Sequence, residues 1–371
     1  MEIDLKDKTL KSIMLTLAAS VAISSLGAVA AAQAPLQPVK IAVGGTNVLD
    51  ISYYFLLLSG PLGYWEKEGY KVDVFPISGS SEAAQQLAVN NLDFSQMSAS
   101  VIIQANTEQS VPLRALITNF TLGWGIAVKK DGPIKTVADL KGKKVGIVSL
   151  ASGGVPLFKS LLKNNGLDPE KDAILLATGV GAQPLLALQN DQVQGLIYWS
   201  SALVGFQNAN PNLEILRDPA WAKMPDFSLA TSQRVINEKP KMVEGISRGI
   251  AKAMVFAAAN PDCARRLQWK FYPDARQTGV DEQKAISNDL AMISVLLKEQ
   301  ADAAKMNLDG QVAGVSTQAM GAYQDFLFDA GILKRKVDPK NLVISDGPAF
   351  WSKVNDFDKA AIEADAKACN Y

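Results

Sequence analysis

An alternation of short strands and helices occurs twice in this chain, and no other feature restricts the fold as strongly. Residues 39–43 alternate like a strand, and residues 70–75 repeat the pattern after a helix predicted at about 52–68. A further helix is predicted to begin at Ser80 or Ser81, whose hydroxyl groups are suited to capping its first turn. The order strand, helix, strand, helix indicates a parallel sheet of the α/β class.

A related order restarts roughly a hundred residues further along the chain. Residues 144–148 echo the first strand, and residues 186–195 echo residues 87–94. From about Lys239 onward the apolar residues recur at helical spacing, which is typical of core packing. The sequence therefore predicts two α/β lobes of similar construction, with a cleft between them.

The composition excludes several kinds of active site. The chain of 371 residues contains no histidine, which removes serine–histidine triads, cysteine–histidine dyads and histidine zinc sites. Its two cysteines are too few for a cysteine-rich zinc site or an iron–sulfur cluster. The 37 basic and 37 acidic side chains cancel, so no partnership with nucleic acid is expected. We expect a protein without a metal or cofactor that binds a small polar or amphipathic molecule.

Residues 1–34 have the layout of a secretory signal peptide. Lysines precede an uncharged run from residue 13 to residue 32, which ends in small side chains. Cleavage is predicted after Ala32 or after Ala34, and a retained membrane anchor is the alternative. Cleavage would leave a soluble periplasmic protein with no segment inserted in the membrane.

Export would place both cysteines in an oxidising compartment. Cys263 and Cys369 are then expected to form a disulfide that closes a long loop and stabilises the fold. Two unpaired, buried thiols are the alternative, because the sequence alone does not show that the two residues meet.

One segment carries a resemblance to a known family. Residues 136–147 resemble the segment that opens the second lobe in bacterial solute-binding proteins of ABC transporters. The layout of residues 39–257 is similar to the group that binds nitrate, sulfonates, taurine and the pyrimidine precursor of thiamine. The resemblance implies a type II periplasmic-binding-protein fold, with two Rossmann-like lobes joined by two hinge strands and the ligand in the cleft between the lobes.

The same resemblance implies a division of the chain and a set of partners. Residues 35–128 and 231–371 would form lobe 1 with its C-terminal helices, and residues 129–230 would form lobe 2. The partners would be a small-molecule solute and an ABC permease with its ATPase, and the binding protein itself would be a monomer. One enzyme of this wider fold consumes its own active-site histidine in its reaction. This chain contains no histidine, so the resemblance favours binding and transport over catalysis.

The candidate ligand-binding residues follow from the topology. In an open α/β sheet, ligands bind beyond the carboxyl ends of the strands, where loops lead into helices. Glycine and serine in such loops let backbone N–H groups approach a ligand, although turn and cap chemistry explains each loop equally well. The loops selected in this way contribute Thr46, Asn47, Gly79, Ser80, Ser81, Ser98, Ser152, Gly153, Gly154, Gly181, Tyr198 and Trp199.

Trp124 joins this set because glycines flank it on both sides, just before the expected crossing between the lobes. An aromatic face at this place would bury a planar or aliphatic part of a solute. Packing between the lobes is the alternative role for Trp124 and for Trp199.

The selected loops contain no lysine or arginine, which disfavours a specialist for inorganic nitrate. A sulfonate or carboxylate held by loop amides, or an uncharged heteroaromatic solute, fits better. Asp50, Glu82 and Asp226 are expected at the solvated surface or at helix starts, and the alternative is that they face a cationic or amine-bearing ligand. The leading interpretation is a periplasmic receptor for an ABC importer. The alternatives are a lyase or hydrolase that uses Asp50 or Asp226, and a ligand sensor that docks to a membrane receptor.

Overall fold

The computed structural model describes residues 35–307 and 310–371. The predicted signal peptide, residues 1–34 with the cleavage sites after Ala32 and Ala34, lies outside the described residues. Within the described ranges, no helix combines the length and apolar character required to cross a membrane.

Two five-stranded sheets form the centres of two lobes. The strands in chain order are β1 (Gln37–Val43), β2 (Tyr70–Pro76), β3 (Phe94–Met97), β4 (Leu113–Thr121), β5 (Gly125–Lys129), β6 (Lys143–Ile147), β7 (Ala173–Ala177), β8 (Gly195–Tyr198), β9 (Leu213–Leu216) and β10 (Pro225–Ser232). Lobe 1 has the strand order β2-β1-β3-β10-β4, and lobe 2 has the order β7-β6-β8-β5-β9. The two sheets have the same topology, as the repeated sequence pattern predicted, and the central strands β3 and β8 are buried along their whole length.

Each sheet contains one antiparallel strand, and that strand comes directly after the chain has crossed from the other lobe. β5 pairs antiparallel with β8 and β9, and β10 pairs antiparallel with β3 and β4. The crossings therefore run from Thr121 to Gly125 and from Leu216 to Pro225. The boundaries predicted after residues 128 and 230 lie a few residues too late, because β5 and most of β10 already belong to the sheet of the destination lobe.

Helices cover both sheets. In chain order they are α1 (Tyr54–Leu58), α2 (Tyr64–Lys67), α3 (Ser80–Ala88), α4 (Ala99–Thr107), α5 (Gly154–Asn164), α6 (Gln183–Gln189), α7 (Ser200–Ala209), α8 (Gln233–Glu238), α9 (Pro240–Ala259), α10 (Pro261–Phe271), α11 (Glu282–Met306), α12 (Thr317–Asp329), α13 (Gly347–Val354) and α14 (Lys359–Ala368). Short 3₁₀ turns occupy Ile51–Tyr53, Val137–Leu140, Pro219–Lys223, Pro273–Ala275 and Pro339–Leu342. Helix α11 packs on β4 of lobe 1 and on α7 of lobe 2, so it bridges the two lobes.

The helix predicted over residues 52–68 is interrupted. The chain forms a 3₁₀ turn at Ile51–Tyr53 and two short helices, α1 and α2. Pro61 lies between them and has no N–H to continue the helical hydrogen bonds. Gly63 then adopts a left-handed backbone, with φ of 67°, immediately before α2.

Cys263 and Cys369 form the predicted disulfide. It joins α10 to the residue that ends α14, across a sequence separation of 106 residues. Closing so long a loop removes conformational freedom from the unfolded chain, which is worth ~4.7 kcal/mol in the chain-entropy account. The C-terminal helices are thereby fastened to lobe 1, on which α9 and α10 pack.

Candidate functional site

A cavity of about 60 Å³ lies between the lobes, and it is called the inner cavity below. Its walls come from the carboxyl ends of strands in both lobes, from the crossing after β4, and from α11. Eight predicted residues line it: Thr46, Asn47, Ser80, Ser98, Trp124, Ser152, Gly153 and Trp199. The topological rule for open sheets therefore located the cavity from both of its sides.

Five predicted residues do not line the inner cavity. Gly79 and Ser81 instead contact lobe 2 at Ala151, where the Ser81 N–H donates to the Ala151 carbonyl at 3.1 Å. Gly154 packs against the Trp124 ring so closely that a Cβ atom would lie 2.4 Å from a ring carbon. Gly181 and Tyr198 line a separate groove, described further below.

Ser80 has a different role from the predicted cap. Gly79 occupies the N-cap position of α3 and Ser80 is the first helical residue. The Ser80 hydroxyl oxygen instead accepts a hydrogen bond from the Ser98 N–H at 3.1 Å, which joins the two loops of lobe 1. The Ser98 N–H, which was predicted as a donor to the ligand, is therefore already hydrogen-bonded within lobe 1.

Asp226 was expected at the surface or at a helix start, and that expectation is wrong. Its carboxyl group is buried at the cavity wall with only 3% of the residue exposed. One oxygen accepts from the Ser98 hydroxyl at 2.6 Å and from the Ala99 N–H at 3.0 Å, and the other accepts from the Trp124 indole N–H at 3.1 Å. Burial raises the pKa of Asp226, while the hydrogen bond from Ser98 acts in the opposite direction.

The residue after Asp226 adopts an unusual backbone. Phe227 has φ of 51°, in the left-handed region that bulky side chains rarely occupy. Its ring stacks on Phe120 at a centroid distance of 6.0 Å and packs against Tyr53 at 5.3 Å. The strained residue thus places an aromatic ring in the cavity wall beside the buried carboxyl group.

Glu299 supplies a second carboxyl group that the sequence did not reveal. It projects from α11, and one of its oxygens accepts a hydrogen bond from the Ser200 hydroxyl of lobe 2 at 2.9 Å. Burial raises its pKa to about 7, with Arg217 acting in the opposite direction. Gly123 lies directly against this group, because a Cβ atom there would stand 2.0 Å from a Glu299 oxygen.

Asp50 is the third carboxyl group at the cavity. It accepts a hydrogen bond from the Ser52 N–H at 2.9 Å and so caps the short 3₁₀ turn, which is one of the roles the sequence predicted for it. Burial raises the pKa of Asp50 as well. Glu82, by contrast, is bound to the Ser78 N–H outside the cavity.

Five aromatic side chains also line the inner cavity: Tyr53, Phe120, Trp124, Trp199 and Phe227. Trp124 and Trp199 meet edge to face at a centroid distance of 5.9 Å. The buried indole N–H of Trp199 faces the Asp50 carboxyl group, and this contact opposes the rise in the pKa of Asp50 that burial causes. Within the part of the chain that the structure describes, no lysine or arginine lines the inner cavity.

Residues 52–264 match the family described as "NMT1/THI5 like". The riboflavin-binding protein RibY of Chloroflexus aurantiacus is 23% identical over 314 residues, which cover 83% of this chain and 85% of that protein.

Solved structures share the fold. The periplasmic aliphatic sulphonate-binding protein SsuA of Escherichia coli superposes with a TM-score of 0.57 at 16% identity, over 83% of this chain and 92% of that one. The alkanesulfonate-binding protein SsuA of Xanthomonas axonopodis, bound to MOPS, gives 0.59 at 15% identity, over 84% and 99%. The architecture is therefore that of the periplasmic binding proteins, and with more than half of its length matched by the family model, the chain belongs to the NMT1/THI5-like family.

Proposed function

We propose that this chain is the periplasmic solute-binding subunit of an ABC importer. Its ligand is a small planar solute that carries an amine or another hydrogen-bond donor, and the lobes close on it. One observation carries the choice of ligand: the inner cavity combines three carboxyl groups with several aromatic rings and, among its lining residues, no basic side chain. Family membership and the two-lobed fold support the role in transport.

The charges of the cavity argue against a sulfonate or a carboxylate. An anion would approach Asp50, Asp226 and Glu299 without contacting a basic side chain of the cavity lining, which is costly in a buried site. A protonated amine, or a neutral donor, meets acceptors there instead.

The loop amides do not compensate for the missing cations, since several of them are already engaged. The Ala99 N–H binds Asp226, the Ser98 N–H binds Ser80, and the Gly44 N–H donates to the Gln96 carbonyl at 2.8 Å. Of these three donors, the Ser98 N–H belongs to a residue that the sequence had selected for ligand binding. Of the solute classes considered, the heteroaromatic one agrees best with the structure.

The aromatic residues favour a flat ligand. Trp124 and Trp199 meet edge to face, and Phe120 and Phe227 stack at an interplanar angle of 18°; all four line the inner cavity. Ring faces attract cations as well as apolar surface, so they are compatible with a protonated heteroaromatic ring.

Three compounds of similar size and different charge test the proposal. Refolded protein, stripped of bound solute, would be melted with 4-aminopyridine, which is cationic at neutral pH, with neutral 4-aminopyrimidine and with anionic benzoate. A ligand at a hundred times its Kd adds about 2.7 kcal/mol to stability, which moves the midpoint by several degrees. We expect the largest shift with the cation and none with benzoate. Riboflavin, named for the Chloroflexus relative, and an alkanesulfonate complete the panel.

Matched variants separate the site from general charge effects. Glu299→Gln should reduce the preference for 4-aminopyridine over 4-aminopyrimidine by roughly tenfold, because it removes one carboxylate from the cavity. Asp73→Asn, at an exposed position of β2, should leave the preference unchanged. A larger shift with benzoate or the sulfonate than with the amines would refute the ligand class. Recovery of an altered product would favour the enzyme alternative.

A further inference from the structure

A second, larger space adjoins the inner cavity and is called the outer groove. Its volume is about 940 Å³, and it lies between α6 and α7 of lobe 2 and the segment from α10 to α11. Four residues line both spaces: Asn47, Asp50, Val180 and Trp199. Because these four residues are shared, the two spaces adjoin each other at this point, which is called the passage below.

The inner cavity alone is small for an organic ligand. Its volume of about 60 Å³ compares with roughly 300–1,000 Å³ for typical ligand pockets. The outer groove falls within that range. A ligand of ordinary size therefore has room only if part of it extends through the passage.

The lining of the outer groove is suited to an apolar or neutral group. Leu185, Leu186, Phe206 and Met292 contribute apolar surface, and Leu186 is 46% exposed on α6. Basic and acidic side chains both line the groove. Arg265 and Asp289 form a buried ion pair, with 2.6 Å between the Arg265 Nε and an Asp289 carboxylate oxygen. The groove thus has no excess of one charge, in contrast to the acidic inner cavity.

Two of the four shared residues interact with each other in the passage. The buried indole N–H of Trp199 faces the Asp50 carboxyl group, and this contact opposes the rise in the pKa of Asp50 that burial causes. A molecule that reaches from the inner cavity into the outer groove would pass this polar pair.

We propose that the outer groove is a second subsite for the same solute, so that the protein takes an elongated ligand with a planar head in the inner cavity and an apolar or amphipathic arm in the outer groove. This inference rests on the proposed function, because the inner cavity must hold the head. It also gives a place to Gly181 and Tyr198, which the sequence selected and which line only the outer groove.

N-alkyl derivatives of 4-aminopyridine with two to eight carbons test the second subsite by calorimetry. Each methylene that enters an apolar groove should strengthen binding roughly fourfold, until the arm fills the available length. Leu186→Ser, at an exposed position, should flatten this dependence on chain length. Val89→Ser is the matched control, since Val89 is 63% exposed and lines neither space.

The possible results separate the two proposals. If the parent 4-aminopyridine binds and longer arms bind no better, the second subsite is refuted and the proposed ligand class stands. An equal gain with chain length in the wild type and in the Leu186→Ser variant would place the arm elsewhere and also refute it. If neither the parent nor any derivative binds, the ligand class fails, and the elongated ligand fails with it.

Discussion

Asp226 and Glu299 present carboxyl groups to the same cavity, yet the wall formed by β10 and the wall formed by α11 hold them differently. Three donors at 2.6–3.1 Å fix Asp226, whereas a single serine hydroxyl at 2.9 Å binds Glu299. Burial raises both pKa values, but the donors around Asp226 are oriented to stabilise its charge. The comparison suggests that Asp226 is a fixed part of the wall and that Glu299 is the group whose charge responds to pH and to ligand.

The largest effect is expected when the fixed carboxyl group is removed. Asp226→Ala leaves the Ser98 hydroxyl, the Ala99 N–H and the Trp124 N–H without their acceptor, which should lower the free energy of unfolding by about 3 kcal/mol. Urea denaturation measures the change, and Asp73→Ala serves as the exposed control. A loss below about 1 kcal/mol would show that Asp226 does not hold the wall together.

The next effect concerns Glu299 and pH. Its pKa is raised to about 7 from 4.5, so the folded state binds the proton more tightly than the unfolded state does. The stabilisation from this proton is therefore complete below about pH 4.5 and is lost as the pH rises through 7. Between pH 5 and pH 8 the wild type should lose about 2 kcal/mol more than Glu299→Gln does. Denaturation at each pH gives the free energy of unfolding of both proteins. An equal change of this free energy with pH in the two proteins would contradict the assignment.

A smaller effect is expected from weakening the support of Asp226. Trp124→Phe keeps a ring against Gly154 but removes the N–H that binds Asp226, at a cost of about 1.5 kcal/mol. Binding of 4-aminopyridine should change less than threefold, because an aromatic face remains. Trp124→Ala should weaken binding at least tenfold. Calorimetry compares the two variants, and equal binding by both would assign Trp124 to packing alone.

The smallest effect tests the contact between Glu299 and the first crossing. Gly123→Ala forces the flexible end of the Glu299 side chain to move, which should cost about 1 kcal/mol. The double variant Gly123→Ala with Glu299→Ala should recover most of this loss, because the opposing atoms are gone. Additive losses in the double variant would mean that the contact with Glu299 is not the cause.

Local patterns in the sequence predicted the fold well because they are set by neighbouring residues. The period-two stretches became β1, β2 and β6, and the repeated order became two sheets of one topology. The helix predicted over residues 52–68 is interrupted at Pro61, although the proline and the neighbouring glycines are local features that disfavour a continuous helix. The lobe boundaries in the structure differ from the predicted ones because the strands that pair with β5 and β10 lie in distant parts of the chain.

The same distinction explains the candidate site. Loops after parallel strands were found by topology, which is why eight of the predicted residues line the inner cavity. Asp226 meets Ser98 across 128 positions, and Glu299 meets Ser200 across 99. No local pattern marks such pairs, so only the folded chain shows that Asp226 and Glu299 line the same cavity.

The antiparallel strands that the chain contributes after each crossing also set the order in which the two sheets can be completed during synthesis. The five strands of lobe 2 lie between Gly125 and Leu216, but lobe 1 needs β10, which follows all of them. The chain is synthesised from its N-terminus, so all five strands of the lobe 2 sheet are present before β10 is made. At that stage the lobe 1 sheet has β1 to β4 and still lacks β10. A nascent chain paused before Pro225 would present a finished second lobe beside an open first sheet, the form in which a holding chaperone would encounter it.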